Sequence, residues 1–298
     1  MRLATFNCEN LFARYRFNKK KKPVKENGFT VNNLAFDIYD DTNKRITANA
    51  IREVDADVIA LQEVEGLPVL DRFNVKKYMK DCKYPYAFLV DSHDPRSIDV
   101  ALLSRLPIVW ARTYRDEINP DTKRPLFSRD CLVVHLDVKG KPLVLYVNHL
   151  KSMMGGRSQT KPKRQKQAKR VAKLIRDQWA SQDYKGNYVV LGDLNDYPGQ
   201  GTALNSLLNH PGLENVVKRL PQDEQWTHYY AKKKQYTQLD YLLLSPSLAQ
   251  ANPGLPGVMR KGLPKRAVKY SGKRFSKVGE NKPKASDHCP LYMDLQLA

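Results

Sequence analysis

Cysteine is scarce in this chain: four residues in 298, at positions 8, 82, 131 and 289, with no Cys-x-x-Cys pair and no Cys/His cluster. That excludes a structural zinc site of the usual spacing. Buried free thiols are the expected state, and one disulfide stays open because spacing does not choose a pairing. No apolar stretch approaches the roughly 18–20 residues of a membrane-spanning helix, so stable membrane insertion is not expected. No charged and then apolar leader precedes Arg2–Phe6, which reads as a strand at once. The chain as written is therefore expected to be cytoplasmic, or secreted if a signal had been removed. There is no internal repeat. Acidic residues are also in deficit, 31 against 51 Lys and Arg, for a net charge of +20. A chain this basic calls for an acidic partner: nucleic acid, an anionic membrane surface or a phosphorylated substrate.

The excess charge is unevenly placed. Arg14–Glu26 carries a net +6, Lys151–Arg176 a net +10 with no acid at all, and Arg260–Ala285 a net +9. These runs hold +25 together, which leaves the rest of the chain at −5. A single charge run is ordinarily a solvated face, but three that hold the whole excess suit a binding surface. Tyr15, Phe17, Tyr270 and Phe275 lie within them, and such a mixture suits phosphate contacts with base or sugar stacking.

With 41% hydrophobic residues the chain can fill a core. Apolar runs of strand length recur at Arg2–Phe6, Asp57–Leu61, Tyr86–Val90, Val100–Leu103, Leu132–Leu136, Leu143–Val147, Tyr188–Leu191, Leu239–Leu244 and Leu291–Leu297. Helical periodicity marks Ile46–Val54, Lys163–Trp179 and Thr202–Leu208. The order is neither regular β-α-β alternation nor all-β. It predicts a layered α/β protein, two mixed sheets with helices outside. Asn252–Lys284, rich in Gly, Pro and Lys, lies between strands and reads as a long loop within one domain spanning 1–298.

Polar residues gather where the predicted strands end. Asn7 and Glu9 follow the first, Glu63 the second, Asn148 and His149 the run Leu143–Val147, and Asp193 and Asn195 the run Tyr188–Leu191. Asp240 opens a later strand, and Asp287 and His288 precede the last. A carboxylate beyond an apolar strand is costly to bury unless paired or metal-bound. Repeated at five strand ends, Asn, Glu, Asp and His are the types that an oxygen-ligated divalent cation and a water-activating base require.

These segments resemble the endonuclease/exonuclease/phosphatase superfamily, the DNase-I-like fold. Thr5-Phe-Asn-Cys-Glu-Asn-Leu-Phe12, Leu61-Gln-Glu-Val64, Asp99-Val-Ala-Leu-Leu-Ser-Arg105, Gly192-Asp-Leu-Asn195, Leu239-Asp-Tyr-Leu242 and Ser286-Asp-His288 are similar to its six motifs, in order, over almost the whole chain. The resemblance implies a four-layered α/β sandwich, two packed mixed β-sheets with helices outside and the site at one edge. Phe127-Ser-Arg-Asp130 and the second histidine, His149, resemble the DNase branch. Asn148-His-Leu-Lys-Ser-Met-Met-Gly-Gly156, with Gln165 and Gln167, is similar to bacterial DNase-like nucleases.

The roles implied are these. Glu63 would be the chief metal ligand, with Asn7 and Asp287, for Mg²⁺ or Mn²⁺; a Ca²⁺ site of the kind some DNases use stays open. Asp193 would orient or deprotonate the attacking water, and Asn195 would hold a phosphate oxygen. His288, oriented by Asp240, would be the general acid or base. His149 would stabilise charge in the transition state or act at the leaving oxygen, with Asp99 as its partner or else an ordinary strand-end cap. Arg129, Asn148 and Lys151 would bind substrate, Arg129 alternatively serving a structural ion pair. His93, His135, His210 and His228 receive no role. The expected protein is a monomeric, metal-dependent phosphodiesterase cutting double-stranded DNA with little sequence preference. The alternative is a phosphatase or phosphodiesterase for small molecules or phospholipids.

Overall fold

The computed structural model describes residues 1–12, 15–18, 29–31, 34–38 and 41–298, with side chains for 1–12 and 41–298. Two six-stranded mixed sheets form its centre. The first runs in the order Gly257–Val258, Leu291–Asp294, Arg2–Leu11, Val58–Val64, Asp99–Ser104, Tyr86–Leu89. The second runs Glu214–Asn215, Asp240–Leu244, Tyr188–Asp193, Lys141–His149, Cys131–Val138, Ile108–Arg112. Each contains one parallel pair near its middle, Arg2–Leu11 with Val58–Val64 and Lys141–His149 with Tyr188–Asp193; the other neighbours are antiparallel.

Strand alternation builds the layers. Leu3, Val58, Ala60, Val100 and Leu102 face Leu143, Leu145, Val147, Val189, Leu191 and Leu242 across the inter-sheet seam. Residues of opposite parity face outward. Ala4, Phe6 and Ile59 pack under the helix Asp41–Val54, and Val144, Tyr146, Tyr188 and Val190 pack under the helix Arg157–Trp179. The result is the four-layered α/β sandwich expected, with helices covering the outer faces of the two sheets. Both helices begin earlier than their apolar periodicity, at Asp41 and Arg157, because their first turns are polar. Thr202–Leu208 shrinks to a single turn, Asn205–Leu208. The edge strand Ile108–Arg112, with Val109 and Trp110 exposed, escaped the sequence reading because it buries little.

The same parity places the chemistry. Counting on from the seam residues, Asn7, His149, Asp193 and Asp240 fall on the seam side, at the C-terminal ends of the parallel strands or beside them. Asn148 falls on the helix side. Glu63 would share Leu61's outward face, but the register shifts between Gln62 and Val64 and Glu63 has φ 63°. This bulge turns its carboxylate toward the seam. Gly192 has φ 128°, and a Cβ there would lie 1.9 Å from the Asn148 carbonyl oxygen, so only glycine lets the two parallel strands close at this level. Gly192→Ala is therefore expected to destabilise the protein by at least about 3 kcal/mol, since strain and a backbone clash combine. Urea unfolding measures this, and a loss under about 0.5 kcal/mol would disprove the close approach.

Candidate active site

The site is built around Asp193, whose side chain is 2% exposed. Its Oδ2 accepts from Asn7 Nδ2 at 3.0 Å and from Asn195 Nδ2 at 3.0 Å, and its Oδ1 accepts from the Asn195 backbone N–H at 2.8 Å. Enclosure is the main force raising the Asp193 pKa; the nearby His288 cation opposes it and Asp240 adds to it. Two imidazoles face the same oxygen at longer range, His149 Nε2 at 3.5 Å and His288 Nε2 at 3.8 Å. Neither makes a good direct hydrogen bond at that separation. The spacing suits a bridging water or phosphate oxygen.

His288 is held from behind. Its Nδ1 lies 2.9 Å from Asp240 Oδ2, which also accepts from Thr227 Oγ1 at 2.7 Å. Burial pushes the imidazole pKa down, but Asp240 and Asp193 outweigh it, so the ring stays protonated well above the ordinary range. His149 is the opposite case: burial first, then Arg129 and His288, hold it well below the ordinary range, and its Nδ1 has no partner among the described residues. A neutral and a charged imidazole thus flank one carboxylate.

Glu63 Oε1 is 3.5 Å from Asn7 Nδ2 and 3.9 Å from His149 Nε2. Its pKa is raised, by burial foremost and also by repulsion from Asp287. Repelling carboxylates in a half-closed position form an oxygen donor set that a hard divalent cation relieves, so Glu63 and Asp287 fit one. Asn7 is more fully engaged than expected. Its Nδ2 serves Asp193, its Oδ1 accepts from the Glu9 backbone N–H at 3.0 Å, and its backbone carbonyl accepts from Ser286 Oγ at 2.7 Å. Among the described residues two trios bring metal-ligating atoms within 4.8 Å of one another, Asp193–Asp240–His288 and His228–Asp287–His288; Glu63 belongs to neither.

The fold therefore brings together Asn7, Glu63, His149, Asp193, Asn195, Asp240, Asp287 and His288. The substrate contacts expected from sequence fare differently. Asn148 points under the helix layer, 0% exposed, its Nδ2 on the Tyr146 carbonyl, because strand alternation turns it away from the seam. Arg129 is 2% exposed; Nε donates to the His149 carbonyl at 3.2 Å, Nη2 to the Leu150 carbonyl, and Nη1 lies 3.5 Å from Asp94. It clamps the strand end that presents His149, with three of its five hydrogens so engaged. Asn195 is likewise a positioning residue: its Nδ2 donates to Leu150 O and to Asp193, leaving no amide hydrogen for phosphate. Asp99 does not partner His149; it accepts from the Ser92 backbone and hydroxyl. Lys151 stands half-buried two residues past His149.

Sequence reading missed His228. Its ring lies 4.6 Å from that of His288 and its Nε2 3.9 Å from Asp287, and burial lowers its pKa to about 3. It arrives on the hairpin His228–Tyr230/Gln235–Thr237, which Tyr229 N→Asp287 O and Cys289 N→Thr227 O zip to the last loop. The signal was available: aromatic residues flank the turn Ala231–Lys234. Lys284, 2.7 Å from Glu9, also enters the site's border.

The basic runs are neutralised in part. In the second, Arg157 and Arg164 share Asp196, Arg170 pairs with Glu117, and Lys166 and Lys173 pair with Asp121 and Asp177. In the third, Arg260 pairs with Glu224, Lys261 with Glu53 and Lys284 with Glu9. Most of the first, including Lys19–Lys22, lies outside the described residues.

Two packed mixed sheets that present a histidine–aspartate dyad, a buried aspartate and converging carboxylates at one edge define the architecture and chemistry of a metal-dependent phosphoesterase. The chain belongs to the Endonuclease/Exonuclease/phosphatase family, whose model matches residues 2–296. Among curated proteins no relative matches it. Solved structures of similar fold include the catalytic domain of human nocturnin with bound sulfate, 15% identical with a TM-score of 0.62 over 100% of this chain and 94% of that one. A mannosyl-6-phosphatase of Bacteroides thetaiotaomicron is 14% identical with a TM-score of 0.61 over 100% and 99%. A β-toxin of Staphylococcus aureus is 15% identical with a TM-score of 0.61 over 98% of each chain. At these identities the likeness is one of fold.

Asp240→Asn should bring the His288 titration midpoint down toward the ordinary range, read from the ring resonances by NMR. The sign follows from the raised pKa. The imidazolium's stabilisation is complete below about pH 6.5, the unfolded value, and is lost as pH rises through the folded value. In the variant that loss moves to lower pH; an unmoved midpoint would remove Asp240 as the cause.

Proposed function

We propose that the protein is a sequence-nonspecific DNA endonuclease that hydrolyses backbone phosphodiesters. The observation carrying this reading is a hydrolytic cluster at an open sheet edge in a chain of net charge +20. Lys and Arg contacts to the backbone give affinity with little base information. Glu63 and Asp287, with Asn7 beside them, would hold Mg²⁺ or Mn²⁺. When bound, that cation neutralises charge on the scissile phosphate and favours attack on phosphorus.

The chain's own groups supply the rest. Asp193 Oδ2, fixed by two amides, accepts the hydrogen of a water and orients it. A carboxylate whose pKa is raised by enclosure is a better proton acceptor than a solvated one. His288, kept charged by Asp240, donates a hydrogen bond to a non-bridging oxygen or a proton to the departing oxygen. His149, neutral, donates or accepts at the opposite side of Asp193. Arg129 and Asn195 hold these groups in place.

A second reading, a phosphatase or phosphodiesterase for small molecules or phospholipids, draws on a cavity of about 300 Å³ bordered by Glu9, Asn10, Lys44, Thr47 and Lys282. The two readings separate when supercoiled plasmid, phospholipid vesicles and a small phosphomonoester are offered with Mg²⁺. Plasmid nicking is expected to dominate; hydrolysis of the small ester alone would reverse the order. EDTA should abolish activity and Mg²⁺ or Mn²⁺ restore it. Glu63→Ala, Asp193→Ala and His288→Ala should each lower turnover about 10²–10⁴-fold while circular dichroism stays native. Wild-type turnover in any one would remove that residue's role.

A further inference from the structure

One group of basic residues borders the hydrolytic cluster. Lys151 follows the strand that ends in His149. Its backbone N–H donates to Gln167 Oε1 at 2.8 Å, and its carbonyl accepts from Arg164 Nη1 at 3.0 Å, so the chain just past that strand is tied to the second and third turns of the helix Arg157–Trp179. Lys163 lies one helical turn before Gln167 and is half-buried. Gln167 Nε2 also donates to the Leu126 carbonyl at 2.9 Å, which brings the short strand Arg124–Pro125 toward the same place. On the far side Arg129 reaches the His149 and Leu150 carbonyls and approaches Asp94, which Arg96 Nε contacts at 3.0 Å.

Arg96, Arg124, Arg129, Lys151 and Lys163 thus surround one corner. Arg96 and Arg129 pair with Asp94, while Arg124, Lys151 and Lys163 form no ion pair among the described residues. Lys151 and Lys163 feel this: burial first, then neighbouring cations, lower both pKa values, Arg129 and Arg96 acting on Lys151, and Lys151, Arg129 and Arg124 on Lys163. A surplus of cations held together by backbone-anchored hydrogen bonds is a standing electrostatic cost that an anion relieves. Lys151 is two residues, roughly 7 Å of extended chain, beyond His149, on the scale of the spacing between successive phosphates of a strand.

We infer that Lys163 and Arg124, with Lys151 between them and the cluster, form a subsite for the phosphate that neighbours the scissile one, so that the substrate is a nucleic-acid strand engaged at two or more consecutive phosphates. This rests on the phosphodiesterase reading and deepens it. Arg96 closes the corner on the loop side. Guanidinium and ammonium groups bind phosphate without reading bases, so the subsite fixes the strand's path and leaves its sequence open.

The test measures binding apart from turnover. A fluorescent duplex of about twelve base pairs is titrated with the full chain in EDTA, by anisotropy, over a series of salt concentrations. Lys163→Ala and Arg124→Ala should each reduce the log–log salt slope by about 0.9, one phosphate contact, and weaken binding about 3–10-fold at low salt. Lys163→Arg should restore the slope. Lys169→Ala, on the exposed outer face of the same helix, should leave it unchanged. In Mg²⁺, Lys163→Ala should lower kcat/KM for plasmid about 10-fold more than for a small phosphodiester. Lys163→Ala indistinguishable from Lys169→Ala, or an equal loss on both substrates, would overturn the subsite. A wild-type protein that binds duplex with the full slope and cleaves none would instead overturn the nuclease reading and leave the subsite standing.

Discussion

One buried carboxylate, Asp193, ties the two sheets together at the point where chemistry can occur. Its Oδ2 accepts from an amide of the first sheet, Asn7, and from Asn195 just past its own strand. An ionised group this enclosed is tolerated only with such partners. The amides are in turn committed: Asn7 to the Glu9 backbone and, through its carbonyl, to Ser286, and Asn195 to Leu150. Ser286 Oγ then accepts from the His288 backbone N–H at 3.0 Å. A single hydrogen-bonded web therefore positions the aspartate, the loop carrying His288 and the strand end carrying His149. Loss of one member leaves others unsatisfied, which is why such webs fix geometry more sharply than apolar packing does.

Backbone strain does the aiming. Glu9, Asn10, Glu63, Asp130 and Asn195 all have positive φ, and they cluster at the strand ends around the site. Each such residue costs about 1–3 kcal/mol, and surrounding order must hold it. The offset comes from the two inter-sheet and helix-side cores beneath, where strands such as Tyr188–Asp193 are buried throughout. Rigid sheets thus carry strained ends that converge on a gap sized for a water or a phosphate oxygen.

Charge is used in two ways in this molecule. Arg164, 0% exposed, spends itself on Asp196 and the Lys151, Arg157 and Thr160 oxygens, locking the turn after Asp193. Arg129 does the same for the end of His149's strand. These cations hold the scaffold, and counting them as binding surface overstates what a phosphate meets. The lysines beside them, Lys151 and Lys163, are half-buried and have no carboxylate partner among the described residues.

The layered fold and most of the site were legible in the sequence. Period-two apolar runs such as Leu143–Val147 and Tyr188–Leu191 specify strands whose burial is local knowledge, and the polar residues that close them mark where burial ends. Glu63, His149, Asp193, Asp240 and His288 were visible for that reason. What tertiary structure alone decided is which donors remain available after packing. Asn148 and His149 are adjacent in sequence, yet sheet alternation sends one under a helix and the other to the seam. Arg129 looks like a phosphate ligand until folding buries it against the His149 and Leu150 carbonyls. For His228 the sequence marks a hairpin but not its destination: the pairing of residues 228 to 237 and the bridge to His288 bring it in. Residue type and spacing encode what a segment can bury. Hydrogen-bond satisfaction between segments distant in sequence is settled only when the chain has folded.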